Sequence, residues 1–243
     1  MVASPPSAGS LKFRLVAFDL DGTLTRVSSI WQHVHEALGT WTQGARYARS
    51  FFRGEITYEQ WARLDARLWR GVSLEALEPL LASVRYMQGA EEVVSCLRKQ
   101  GLKVGTISAG LSLLADKAMR ELGLDFSVAN ELVIKDGKLT GEIQVRVGYD
   151  NKGEVLKEVL RSLGVERFEC ATVGDDLPDL GLFRECRLAI AFNPRHAAVE
   201  RAAHVVVHGD DLRLILPYLL HTSGNASRPL SKTVCSIKDA ARF

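Results

Sequence analysis

The stretch LVAFDLDGTLT, residues 15–25, limits the possible folds of this chain more than any other. It is an apolar run whose end carries two carboxylates, Asp19 and Asp21, followed at once by a glycine turn at Gly22. A short apolar run bounded by a turn signal reads as a strand covered on both faces, which belongs in a parallel sheet. Side chains alternate along an extended segment, so Asp19 and Asp21 point the same way. Both then stand at the strand's carboxyl end, where open α/β sheets keep their ligand crevice. Like charges so close repel, and either a cation lies between them or one of them holds a proton. The first case suits magnesium and the second suits general-acid chemistry; an Asp-Gly turn with a capping Asp is the purely structural alternative.

No strand pattern follows between residues 26 and 87. Ile30 to Leu38 and Trp41 to Phe52 carry apolar residues at helical spacing, and Thr57-x-x-Gln60 is a capping box opening a helix with Trp61, Leu64 and Leu68 on one face. Ser73 can cap a further helix through Leu74, Leu77, Leu80 and Leu81. From Gly89 onward strands and helices alternate. A helix through Val93, Val94 and Leu97 ends at Gly101, a strand runs from Leu102 to Ile107, and a helix from Leu111 closes at Gly123. Asp136-Gly137 is a hairpin signal between Val128–Ile134 and Lys138–Val145. Helices over 153–163, 177–185, 194–202 and 211–220 then alternate with strands over 170–173, 188–192 and 204–207. The expectation is a doubly wound, mainly parallel α/β sheet built from residues 10–25 and 88–220, with a helical cap over 26–87 inserted after the first strand. Residues 221–243, rich in Ser, Thr, Asn and Gly, are expected to form a loosely ordered tail.

The charge balance, 31 Lys+Arg against 29 Asp+Glu, argues for neither a nucleic-acid nor a membrane partner. No run approaches the ~18 apolar residues of a membrane span, and Met1 to Ser10 lacks the apolar core of a signal peptide. Cys96, Cys170, Cys186 and Cys235 show no C-x-x-C spacing, which favours reduced thiols in a soluble, cytoplasmic protein.

Three further features fall at strand or helix ends. Thr106-Ile107-Ser108-Ala109-Gly110 offers a hydroxyl and backbone N–H groups to an anion, or a plain helix cap. Lys152 stands at a helix entrance, the end a cation disfavours, which implies an anionic partner unless it is solvated. Gly174-Asp175-Asp176-Leu177-Pro178-Asp179 clusters carboxylates at the end of an apolar strand; hard oxygen ligands of this kind suit Mg²⁺, and an Asp cap before Pro178 is the alternative.

Taken in order, D-x-D-G-T, then Ser, then Lys, then G-D-x-x-x-D resembles the haloacid dehalogenase superfamily of phosphohydrolases. Ala129-Asn130-Glu131-Leu132, Lys135-Asp136-Gly137-Lys138-Leu139-Thr140-Gly141, Asn151-Lys152-Gly153-Glu154 and Ile190-Ala191-Phe192-Asn193 resemble its phosphoserine-phosphatase branch, over roughly residues 12–220. The resemblance implies a Rossmann-like core with a helical cap. By position it implies Asp19 as nucleophile and Asp21 as acid/base, with the carboxylates of Asp19 and Asp175 and the carbonyl of Asp21 holding Mg²⁺. Ser108, with Ala109 and Gly110, and Lys152 would grip the phosphoryl oxygens. Asp176 and Asp179 would support the site from behind, Asp179 by orienting Lys152 or a metal-bound water. The activity implied is a Mg²⁺-dependent phosphatase of a small phosphorylated metabolite, working through an aspartyl-phosphate, as a monomer or homodimer. Phosphoserine phosphatase proper, phosphotransfer to another acceptor, and a non-catalytic phosphate-binding or phospho-receiver module are the alternatives.

The chain departs from the branch at Ser28, where a glutamate is usual, and at Asp65, where the register gives an arginine. Those residues read the ammonium and carboxylate of phosphoserine, so free phosphoserine is not expected to be preferred. Arg63 and Arg67 fall on the other face of the helix from Asp65. Ala109 and Pro178 replace a glycine and an asparagine of the branch.

Overall fold

In the computed structural model, residues 13–220 and 233–235 are described. The strands are β1 (Leu15–Phe18), β2 (Lys103–Leu111), β3 (Phe126–Lys135), β4 (Lys138–Gln144), β5 (Cys170–Gly174), β6 (Leu188–Phe192), β7 (Val205–Val207) and β8 (Thr233–Cys235). They form one sheet of order β4-β3-β2-β1-β5-β6-β7-β8, parallel except where β3 meets β4. The strand order reverses about β1, which pairs with β2 on one side and β5 on the other, and the crevice of such a sheet opens at that point. Every residue of β1, β5 and β6 is buried, as strands covered on both faces require.

Four helices separate β1 from the rest of the sheet: α1 (Ile30–Ala37), α2 (Trp41–Phe52), α3 (Tyr58–Leu68) and α4 (Leu74–Ser83). Then come α5 (Ala90–Lys99), α6 (Ser112–Leu122), α7 (Lys152–Leu163), α8 (Leu180–Arg184), α9 (Ala197–Ala202) and α10 (Leu216–Leu220). The sheet has a core on each face. One joins Val16, Phe18 and Val104 to Trp31, Trp69 and Leu77 of the inserted helices; the other joins Leu15, Ala17 and Ile107 to Leu156 of α7 and Leu182 of α8. Among the described residues no helix is long and apolar enough to cross a membrane, and Cys96, Cys170 and Cys186 are free thiols.

Local chemistry accounts for the boundaries. The Thr57 hydroxyl accepts from Gln60 N at 3.2 Å while Gln60 returns its carbonyl to Thr57 N at 2.8 Å, which closes the capping box of α3. Asp136 and Gly137 both have positive φ, the turn that matches strand twist in a two-residue hairpin.

Several expectations are corrected. β2 runs on to Leu111 rather than ending at Ile107, and its register with β3 shifts between those two residues, so Ser108 to Gly110 lie in a strand irregularity and not at a helix entrance. α3 buries Ala62, Asp65 and Ala66 most deeply, while Trp61, Leu64 and Leu68 are half-buried, Leu68 against the core and Trp61 against Phe51 and Tyr58. The segment 177–185 opens as a three-ten turn, because Asp176 and Asp179 cap each other's amides around Pro178; α8 proper starts at Leu180. The helix over 194–202 begins only at Ala197, and 211–220 divides into a three-ten turn over 212–215 and α10. Most of the tail expected over 221–243 lies outside the described residues; Thr233–Cys235 pairs with β7.

Candidate active site

The strand ends of β1 and β5 carry the charges. Asp19 follows β1, its amide tied to Val173 O at 2.8 Å, and it is almost wholly buried. Lys152, the first residue of α7, is 1% exposed, and its Nζ donates to Asp19 Oδ1 and to Asp179 Oδ1, at 2.7 Å each. Asp179 Oδ2 accepts the amides of Asp175 and Asp176 at 2.9 and 3.0 Å, so both of its oxygens are committed. That contact requires Gly174, where a Cβ would lie 2.4 Å from Asp179 Cγ. Asp175 Oδ1 accepts from Thr23 Oγ1 at 2.9 Å. Gly22, at φ +84°, brings the backbone so near that a Cβ would stand 2.5 Å from Asp175 Oδ2. Among the described residues no donor reaches Asp19 Oδ2 or Asp175 Oδ2.

This is a pocket short of positive charge. Burial, with the charge of Asp179, pushes the Asp19 carboxyl up to about 7 against the pull of Lys152. Burial, with Asp19 and Asp179, pushes Asp175 up to about 8. Burial opposes the charge on Lys152, but Asp179 and Asp19 outweigh it and hold the ammonium protonated. The carboxylates of Asp19, Asp175 and Asp179 bring oxygens within 4.8 Å of one another. With Asp179 committed to Lys152 and two amides, Asp19 and Asp175 are left as hard donors, and they fit a small divalent cation. Of the two roles expected for Asp179, the geometry gives it the lysine.

Asp21 follows two residues after Asp19. Its Oδ2 accepts the amide of Ile30, the first residue of α1, at 2.7 Å, while its Oδ1 is buried with no partner. Burial pushes this carboxyl up to about 6, with the Ile30 amide and Lys152 pulling the other way. Ser108 is buried and its Oγ accepts from Gly110 N at 3.0 Å, so the Gly110 amide expected to serve an anion is taken by the serine. Ala109 turns its carbonyl to three donors: Trp31 Nε1 at 3.0 Å, Asn130 Nδ2 at 2.9 Å and Tyr58 OH.

The two residues expected to read the substrate are placed differently from each other. Ser28 is exposed and engages through its carbonyl, which accepts from Arg195 Nη1 at 3.4 Å. Arg195 also pairs with Asp176 at 3.0 Å, and His196 with the same carboxylate at 3.1 Å, so Asp176 looks away from the reacting groups. Asp65 is buried inside the helical insertion, 3.2 Å from His35 Nε2.

The sequence reading missed several residues here. Thr23 was signalled only as part of D-G-T. Trp31 and Tyr58 lie in the helical insertion, and spacing carries no sign that they reach across to β2. Asn130, which the sequence offers only within Ala129-Asn130-Glu131-Leu132, is fully buried and makes four bonds to the backbone, donating to Ala109 O and Val147 O and accepting from the amides of Arg146 and Val147, all between 2.8 and 2.9 Å, and it also donates to Tyr58 OH at 3.2 Å. It fastens the segment leading to Lys152 onto the end of β2.

Residues 16–184 match the family described as haloacid dehalogenase-like hydrolase. The chain is 32% identical over 209 residues to the phosphoserine phosphatase of Methanocaldococcus jannaschii, covering 86% of this chain and 98% of that one. It is 33% identical over 208 residues to the phosphoserine phosphatase of Streptomyces coelicolor, covering 85% of this chain and 50% of that longer one. Among solved structures it is similar to a phospho-aspartyl intermediate analogue of phosphoserine phosphatase, with a TM-score of 0.74 and 31% identity over 86% of this chain and 99% of the other. A substrate-bound phosphoserine phosphatase complex gives 0.75 and 29% over the same shares. With the buried carboxylates and lysine gathered at the ends of β1, β5 and α7, the chain belongs to the haloacid dehalogenase-like hydrolases, in their phosphoserine-phosphatase-like branch, and is a phosphoric monoester hydrolase.

Proposed function

We propose that the chain hydrolyses a small phosphomonoester in two displacements at Asp19, with Mg²⁺ held by Asp19 and Asp175. The observation that carries this is the sharing of one buried ammonium by two buried carboxylates, of which only Asp19 keeps an oxygen without a donor. Asp19 Oδ2 attacks phosphorus and the ester bond to the alcohol breaks, leaving an aspartyl-phosphate. Lys152 and the Ser108 hydroxyl meet the charge on the equatorial oxygens. Asp21 gives its proton to the departing alkoxide, then takes one from the water that cleaves the acyl phosphate. A carboxyl near 6 can do both around neutrality. Mg²⁺, when bound, offsets the charge of two carboxylates and a phosphate crowded together.

Helices α1 to α4 serve as the cap over this chemistry. The Ile30 amide on Asp21, and Trp31 and Tyr58 on Ala109, support closure of that cap on the reacting side. Asp21 also separates this reading from a phospho-receiver, which needs a long-lived aspartyl-phosphate and no acid/base to remove it. The test is phosphate release from a panel of small phosphomonoesters with Mg²⁺, in wild type and Asp19→Asn. Wild type should turn over and the variant should not; quenching with borohydride should mark residue 19 alone. Turnover by Asp19→Asn sinks the assignment. The names of the relatives favour one second reading, phosphoserine phosphatase proper, which the same panel compares directly.

A further inference from the structure

Several bonds fasten the inserted helices to the β2–β4 half of the sheet. Trp31 and Tyr58 donate to Ala109 O, Asn130 donates to Tyr58 OH, and the backbone of Gly71, Val72 and Leu74 pairs with that of Gly137 and Leu139. Asp175 belongs to the opposite half, where it follows β5 across β1 from those strands.

Arg195, in the turn between β6 and α9, reaches the insertion from that opposite half. Its amide donates to Asp175 O at 2.9 Å. Its Nη1, with two hydrogens to give, donates to Asp176 Oδ2 at 3.0 Å and to Ser28 O at 3.4 Å. One end of this strut is fixed: Asp179 accepts the amides of Asp175 and Asp176, and His196 and the Leu177 amide take Asp176 Oδ1. The other end is the link from β1 into α1. Ser28 lies two residues before Ile30, whose amide holds Asp21 Oδ2 at 2.7 Å. Asp21 Oδ1 is buried without a partner, so among the described residues the Ile30 amide alone orients this carboxyl. A group held by one amide is placed only as well as the chain that carries the amide.

We propose that Arg195 is a positioning residue for proton transfer: by holding the link at Ser28 against the loop of Asp175 and Asp176, it keeps Asp21 aimed at the departing alcohol. The proposal rests on the phosphatase reading above and adds a residue to it. It also gives position 28 a use through its carbonyl that no side chain there would reveal.

Arg195→Ala removes the guanidinium and keeps the amide on Asp175, so the metal side stays as built. The guanidinium is 46% exposed, and its loss opens no space in the core. The experiment compares kcat/KM under Mg²⁺ for 2-hydroxyethyl phosphate and p-nitrophenyl phosphate, because that ratio reports the steps up to departure of the alcohol and leaves out the later attack of water. A departing alkoxide needs the proton of a general acid, whereas p-nitrophenolate leaves without one. Arg195→Ala should lower kcat/KM for the alkyl ester by about tenfold to a hundredfold and leave the aryl ester within about threefold of wild type. In an Asp21→Asn background, where the acid is already gone, the same change should alter the alkyl ester by less than about threefold. A merely structural Arg195 would lower both esters together and act alike in both backgrounds. Equal falls for the two esters, an alkyl ester unaffected by Arg195→Ala, or a full further loss in Asp21→Asn overturns the proposal and leaves the phosphatase reading standing. If wild type releases phosphate from neither ester, the phosphatase reading falls and takes this one with it.

Discussion

Replacing Asn130 by Ala should both destabilise the protein and slow it, because one amide holds four backbone groups. Ala109 O would keep Trp31 and Tyr58 as donors, and the amide of the exposed Arg146 can turn to water. The amide and carbonyl of Val147, which is wholly buried, would both lose their partner. Each buried group left unpaired costs about 1–3 kcal/mol, so the loss should be about 2–6 kcal/mol. At roughly 2–4 °C per kcal/mol for a domain of this size, the melting midpoint should fall by about 10 °C. The same change frees the segment before Lys152, and a misplacement of about 1 Å at a reacting group can cost about 10²-fold in rate. Asn130→Asp is the informative companion. It can still accept from the Arg146 and Val147 amides but sets a carboxylate against the Ala109 and Val147 carbonyls. It should be no better than Ala in stability and should regain some stability as acid protonates it. Thermal melting by circular dichroism and phosphate release at saturating ester measure the two effects. An Asn130→Ala protein that melts within about 2 °C of wild type and keeps at least half its turnover would refute the account of Asn130 as the fastener of this segment.

Gly22→Ala combines a positive φ, costing about 1–2 kcal/mol, with a Cβ 2.5 Å from Asp175 Oδ2, so turnover should drop about 10²-fold. Gly39→Ala carries the same kind of φ but meets nothing within 4 Å, so it should lose stability alone; equal turnover in the two variants would count against the role of Asp175. Chelation with EDTA should silence phosphate release and Mg²⁺ restore it, whereas Ca²⁺, with its looser shell, should bind without supporting in-line attack; full activity after exhaustive chelation would remove Asp175 from the metal site. Far from the site, burial works against the charge on Asp125, but the Val104 amide at 2.9 Å, Lys103 and Arg98 outweigh it and hold its carboxyl below the usual range. A depressed folded-state value gives stability that is present above the unfolded value of 3.8 and lost as pH falls through the folded one, so Asp125→Asn should be weaker at pH 7 by on the order of 1 kcal/mol and should converge with wild type only once the pH has fallen below the folded-state value, itself under 3.8. Urea melts at the two pH values decide it, and a constant gap would reject the ion pairs as its cause.

The fold was legible where burial leaves a periodic trace. The apolar runs of β1, β5 and β6 and the alternation after Gly89 set a parallel sheet, and the helical spacing after Thr25 set the insertion. Asp19, Lys152, Asp175 and Asp179 could be brought to one end because carboxyl ends of parallel strands share an edge. The partners were not legible. Nothing local distinguishes the lysine from a metal-bound water as the partner of Asp179, and that choice is made by α7 and β5 meeting in space. Trp31 and Tyr58 carry ordinary packing signals, since spacing reports that a side chain is covered and not what covers it. β2 overran its expected end because Ser108 to Gly110 stay extended under α1, where a Cβ at Gly110 would stand 2.8 Å from Ile30 Cγ2; that fit depends on a segment far upstream.

The bonds that define the site span very long stretches of chain: 133 residues separate Lys152 from Asp19, and 152 separate Thr23 from Asp175. Each closes a loop whose entropy must be met before the contact gives anything back, so none of them can lead folding. On a growing chain β1 is made early, and Asp19, just beyond it, must wait for β5 and α7 to arrive. The charged cluster is thus among the last things the molecule completes. Recovery of phosphate turnover should then trail the recovery of helix signal, which makes the reaction itself a clock for the final docking of the two halves of the sheet.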